Sequence, residues 1–134
     1  MQRKVYVASA LTNYEQILDI KTALRRNGIE TTFSWASWYL KYKDEPLFAR
    51  PLDRKGIALK EMQSVREAEV LLAINKNTRG THVELGMAVA FGIPVVVYNP
   101  EEATDIPFYH LPGVTLARTL EDALDCIVEK RYEH

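Results

Sequence analysis

Apolar positions follow two alternating rhythms along the chain. Lys4 to Ser9 is β-branched and aromatic and runs into small residues, then Thr12 and Asn13, either of which can cap a helix, so it predicts a strand and a loop. From Tyr14, Ile17, Leu18, Ile20, Ala23 and Leu24 recur at helical spacing until Asn27-Gly28 stops them, and Ile29 to Trp35 reads as a second strand. Between Ala36 and Gly56 neither period holds, because aromatics, prolines and charges are mixed; this predicts a functional loop with some helix. Ile57 to Glu67 returns to helical spacing, and Ala68 to Ile74 is a nearly unbroken apolar run, as a strand covered on both faces requires. A helix from about Thr81 to Phe91 follows, stopped by Gly92. Ile93 to Tyr98 is the next strand, with Pro94 at its start, where a missing N–H costs least. Gly113 to Ala117 is a short last strand, and Thr119 caps a final helix from Leu120 to about Lys130.

Strands joined mostly by helices require right-handed crossovers. The expected fold is therefore α/β: a single-domain Rossmann-like or flavodoxin-like three-layer sandwich spanning residues 1–134, with a five-stranded parallel sheet in the order 2-1-3-4-5. In such a sheet ligands sit beyond the carboxyl ends of the strands, near the switch point between strands one and three. That gathers Ala8 to Asn13, Asn75 to Glu84 and the residues from Tyr98 onward around one crevice.

Composition narrows the function classes. A net charge of -1, with both signs mixed along the sequence, offers no field for a polyanion, so neither a nucleic-acid polymer nor an anionic membrane is expected as a partner. The lone Cys126 excludes an internal disulfide, and the N-terminus lacks a signal-peptide apolar run, which together predict a cytoplasmic protein. His110 and His134 share no ligand spacing, so no metal site and no cofactor are expected.

Chemistry concentrates between Arg79 and Val96. Gly80 lets backbone approach a ligand, Thr81 can cap the helix, and Glu84 lies one turn in on the side facing the crevice. Gly86 and Ala88 are small enough for the helix to sit close to the sheet. The helix dipole favours an ionised carboxylate in a first turn, which suits a nucleophile; the plainer reading of Glu84 is a first-turn acid that only stabilises its helix.

Gly80-Thr81-x-x-Glu84-Leu85-Gly86-x-Ala88, followed by Gly92-x-Pro94-Val95, resembles the signature of the nucleoside 2-deoxyribosyltransferases and their relatives, the 2'-deoxynucleoside 5'-monophosphate N-glycosidases. Val5 to Ser9 resembles that family's first strand and loop, and Val65 to Val70 the segment entering its third strand. The resemblance implies that Glu84 attacks C1' of the sugar to form a glycosyl-enzyme ester, which water or a second base resolves, and that Tyr6 supplies the hydroxyl orienting it. It implies a small-molecule nucleoside or nucleotide substrate and a homo-oligomer whose neighbouring subunits complete its sites. The family's Asp that protonates the leaving base falls on Glu61, and a second family Asp falls on Thr78; both are departures.

Further candidate binding residues are Ala8 and Ser9 in the first loop, Trp35 as a stacking platform, Gly80, Thr81, and Asn99 after the fourth strand. Each has an ordinary alternative. Tyr6 can be a plain strand aromatic, Ser9 can serve only its own loop, Trp35, Trp38, Tyr39 and Tyr42 can be core, and Arg50 and Arg54 can be solvated charges rather than phosphate ligands. His82, two residues before Glu84, points elsewhere around the helix and reads as a surface residue. The competing function is a non-catalytic module of the same fold that binds a nucleotide or an ADP-ribose-like ligand.

Overall fold

The computed structural model describes residues 2–9, 14–32, 44, 54–74 and 79–132. Most of the stretch 36–56 lies outside these, as do Trp35 and Thr78. The described elements are β1 (Arg3–Ala8), α1 (Tyr14–Arg26), β2 (Ile29–Thr31), α2 (Arg54–Glu67), β3 (Val70–Ile74), α3 (Arg79–Ala90), β4 (Val95–Tyr98), a 3-10 turn (Pro107–His110), β5 (Val114–Ala117) and α4 (Leu120–Val128). All strand pairings are parallel, and the order is β2-β1-β3-β4-β5, as the crossover argument requires. None of the described helices is long and apolar enough to cross a membrane.

β3 explains the layering. All five of its residues are buried, because alternate side chains enter two separate cores. Val70, Leu72 and Ile74 join Val5, Ile20, Leu24, Ala123 and Ile127 under α1 and α4. Leu71 and Ala73 join Tyr6, Ala8, Val65, Leu85 and Ala88 under α2 and α3. No helix carries the chain from β4 to β5 among the described residues; the segment after β4 packs Ile106, Tyr109 and Leu111 onto the second core instead.

Element boundaries moved where backbone chemistry outweighed hydropathy. β2 is three residues long, shorter than the expected Ile29 to Trp35, and its ladder ends with Thr32 N–H donating to the Val5 carbonyl at 2.9 Å. α3 begins at Arg79, two residues before the expected Thr81, so Thr81 is an interior position rather than a cap. Its other end matches expectation: Gly92 at φ 75° permits Ile93 N–H to reach the Ala88 carbonyl at 2.8 Å and Gly92 N–H the Val89 carbonyl at 3.1 Å. Thr119 does cap α4, accepting from Asp122 N–H at 3.0 Å.

At the amino-terminal end of the sheet, one ionic network fastens the two ends of the described chain. Arg3 Nη2 donates to Glu69 at 2.8 Å and to the Ile127 carbonyl at 2.7 Å, while Tyr132 donates its hydroxyl to Glu69 at 2.5 Å. The Arg3 hydrogen bonds hold the Glu69 carboxyl below its ordinary 4.5, so this stabilisation is present above that value and is lost as acid protonates the folded state. Glu69→Gln should cost about 1 kcal/mol in urea unfolding at neutral pH, a difference that closes in acid. An equal deficit at both pH values would remove the ion pair as its cause.

Candidate active site

Strand alternation sends Val5 and Val7 toward α1 and α4, and Tyr6 and Ala8 toward α2 and α3. On α3 the buried positions Thr81, Glu84, Leu85 and Ala88 recur at i, i+3, i+4 and i+7, so Glu84 faces the sheet. The two patterns meet: the Tyr6 hydroxyl donates to Glu84 Oε2. Tyr6 is 3% exposed and Glu84 7% exposed, which makes this a hydrogen bond across the interior rather than a surface contact. Glu84 Oε1 has no hydrogen-bond partner among the described residues.

Burial reverses one electrostatic expectation. With α3 starting at Arg79, Glu84 sits in the second turn, beyond the range over which a helix N-terminus acts strongly. Desolvation pushes its carboxyl up to about 8, so the free protein holds Glu84 mostly protonated near neutral pH instead of ionised. Glu61, half-buried on α2, is also raised by burial, a direction that favours a proton donor. α2 packs on α3 and on β1, the elements that bear Glu84 and Tyr6.

The remaining candidates divide. Ala8 is fully buried and in register with Ala73, so only its backbone is available to a ligand; Ser9, half-buried, follows it at the carboxyl end of β1. Thr81 is 2% exposed, one turn before Glu84 on the same face. Gly80 belongs to the first turn of α3, with its surroundings outside the described residues. Asn99, 3% exposed, uses its side-chain amide at home: Nδ2 donates to the Ala103 carbonyl at 2.9 Å, and Oδ1 accepts from Ala103 N–H at 3.1 Å. Those bonds shape the turn in which Glu102 takes φ 53°. Among the described residues no group of three or more His, Cys, Asp or Glu is arranged to hold a metal.

Sequence reasoning missed Tyr109. His82 is not a bare surface residue: its Nε2 lies 3.0 Å from the Tyr109 hydroxyl, with the rings stacked 5.8 Å apart, and this pins the 3-10 turn against α3. The available signal was Pro107, a residue suited to the first position of a helical turn.

With this geometry in view, the comparisons with known proteins are informative. A family model described as nucleoside 2-deoxyribosyltransferase matches residues 5–131. No curated protein matches the sequence. Among solved structures, a conserved protein from Enterococcus faecalis V583 is similar with a TM-score of 0.70 at 18% identity, covering 98% of this chain and 99% of the other. A 2-deoxyribosyltransferase from Bacillus psychrosaccharolyticus gives 0.67 at 22% identity, covering 91% and 90%. A CMP N-glycosidase of Clostridium botulinum gives 0.64 at 17% identity, covering 93% and 98%. At these identities the structural likeness concerns the fold.

Proposed function

Because the chain belongs to the nucleoside 2-deoxyribosyltransferase family, we propose that it cleaves or transfers at the N-glycosidic bond of a nucleoside or nucleoside 5'-monophosphate, with Glu84 as nucleophile. The observation that carries this reading is the buried Tyr6–Glu84 hydrogen bond, which fixes one carboxylate oxygen and leaves Oε1 for the sugar. Family membership supports the reaction class, nucleoside deoxyribosyl transfer or N-glycoside cleavage.

In the proposed reaction, Glu84 Oε1 bonds to C1' as the C1'–N bond breaks. The electron pair of that bond goes to the base nitrogen, which takes a proton from Glu61. A buried carboxylate stabilises the oxocarbenium-like charge more strongly than one in water, and then captures it as an ester. Water or a second base next attacks C1', passing its proton to the Glu61 carboxylate, while the bond between C1' and Glu84 Oε1 breaks and frees Glu84. Tyr6 keeps Oε2 in place throughout and compensates its charge. Tyr6→Phe should therefore lower kcat by roughly 10- to 100-fold with a smaller change in KM, because the lost hydrogen bond serves the charged states of Glu84. A proportionate rise in KM with unchanged kcat would instead assign Tyr6 to substrate binding.

The decisive test incubates wild type and Glu84→Ala with a panel of nucleosides and 5'-monophosphates, with and without a second free base, and follows base release or exchange by chromatography. Release seen only in wild type supports hydrolysis, and exchange supports transfer. No turnover by either protein, with thermal stabilisation by nucleotides, would replace this reading with the ligand-binding module.

A further inference from the structure

The helical layer across the sheet from Glu84 is not closed. α2 and α3 pack closely on each other, whereas α1 packs chiefly on β2 and α4 on β4 and β5. α1 and α4 reach one core, through Ile20 and Leu24 of the first and Ala123 and Ile127 of the second. Above that core they leave a groove of about 390 Å³, within the range of small-molecule sites.

The floor of the groove is apolar. Leu120, Leu124 and Val128 recur at i, i+4 and i+8 on α4, one row out from the fully buried Ala123 and Ile127, and stay only partly covered. Ala23 and Leu24 line it from α1. The small side chain at position 23 helps to keep the space open.

The rim is polar in one sense only. Glu121 and Asp125, one turn apart on α4 and both exposed, border the groove, and neither joins an ion pair among the described residues. Like charges at this spacing repel each other. Asn27 commits its amide nitrogen to the Ala23 carbonyl at 3.0 Å, which leaves the Oδ1 acceptor as its contribution to the rim. Arg25 and Arg26 do not line the groove, and Arg25 turns to Glu30 at 3.9 Å. Around an apolar floor, the polar side chains therefore offer acceptors, two of them anionic, and no cation.

We propose that this groove is a binding site for a small amphiphilic cation, a primary ammonium carried on a short hydrocarbon body. The body covers the row Leu120, Leu124 and Val128, while the three N–H donors of the ammonium meet Glu121, Asp125 and Asn27 Oδ1. Charge complementarity selects this ligand. A neutral apolar molecule leaves the two carboxylates repelling each other, and an anion adds to that repulsion. Size excludes a protein occupant, which would bury roughly 800 Å² on this side, far more than the walls of the groove present.

The test is a titration of the whole isotope-labelled chain, followed by amide NMR near neutral pH in low salt, with hexylammonium, hexanol and hexanoate as probes of matched length. Hexylammonium is expected to shift the amides of residues 23–27 and 120–128 saturably, with a dissociation constant of about 0.1–1 mM. Hexanol should bind there at least about threefold more weakly, and hexanoate not at all. The double variant Glu121→Gln/Asp125→Asn, changed only at exposed positions, should weaken hexylammonium to the level of hexanol and leave hexanol unchanged. Ala23→Leu, which fills the groove, should abolish binding of both, with far-UV circular dichroism establishing that each variant is folded. Hexanol bound as tightly as hexylammonium, hexanoate bound in its place, or hexylammonium binding unaltered by the double variant overturns the cation site. Shifts that never saturate, with every probe, overturn the groove as a binding site of any kind. None of these measurements reads turnover, so they stand or fall separately from the glycosidic chemistry.

Discussion

Glu84→Gln should lose at least about a thousandfold in turnover and yet melt at a higher temperature than wild type at pH 8. Both effects follow from one buried carboxyl raised from 4.5 to about 8. Below the unfolded value the group is protonated in both states and carries no penalty. As pH rises through the window between the two values, the unfolded chain releases its proton while the native state keeps it, and stability declines. At about 1.4 kcal/mol per unit, the total is a few kcal/mol, or roughly 10–20 °C in Tm. Glutamine still accepts the Tyr6 hydroxyl bond and never ionises. The melting difference between variant and wild type should thus be near zero below about pH 4 and largest near pH 8. A variant no more stable than wild type at pH 8 would mean that burial does not raise the carboxyl.

The same group predicts the direction of the pH–rate profile. A nucleophile must be ionised, so kcat/KM of a Glu61→Gln variant, which has no titrating acid partner, should climb as pH approaches about 8 and then level. Were Glu84 the proton donor instead, the rate would fall through that value. The sign of the slope in that variant distinguishes the two roles.

Leu72→Ala should cost about 3–5 kcal/mol, enough to consume a large part of the stability typical of a domain this size. Leu72 is fully buried at the middle of β3, pairing with Val7 on one side and Val96 on the other, within the core that α1 and α4 cover. Backbone ladders on both edges prevent the strand from collapsing into the cavity, which places the cost near the top of the observed range. Denaturant unfolding measures it; a loss below about 1 kcal/mol would show that the surrounding helices relax into the space.

How much was legible varied with how local the cause was. The continuous apolar run at Val70 to Ile74 can only belong to a strand with helices on both faces, and alternating elements then leave few topologies, so sheet order followed from pattern. Gly92 and Thr119 marked helix ends through chemistry acting within one turn. The start of α3, the short β2 and the helical turn at Pro107 did not announce themselves, because each depends on hydrogen bonds to distant partners or on packing against another element.

The candidate site divides along the same line. Glu84, Tyr6 and Glu61 were singled out as candidates from motif and resemblance. That the Tyr6 hydroxyl meets Glu84 required strand alternation and helix phase to be combined in space, with 78 residues between the two. Asn99 was placed after β4 by the sequence, but that its amide bridges both backbone groups of Ala103, four residues on, is visible only in the structure.

The sequence by itself determined the architecture, since hydrophobic period and helix-ending residues are properties of short segments. It also singled out Glu84 as the carboxyl proposed to react. Only the tertiary structure decided that carboxyl's protonation state. Helix position is read along the chain and suggested a charged group; desolvation is a property of everything packed around it, and at 7% exposure it outweighs the dipole.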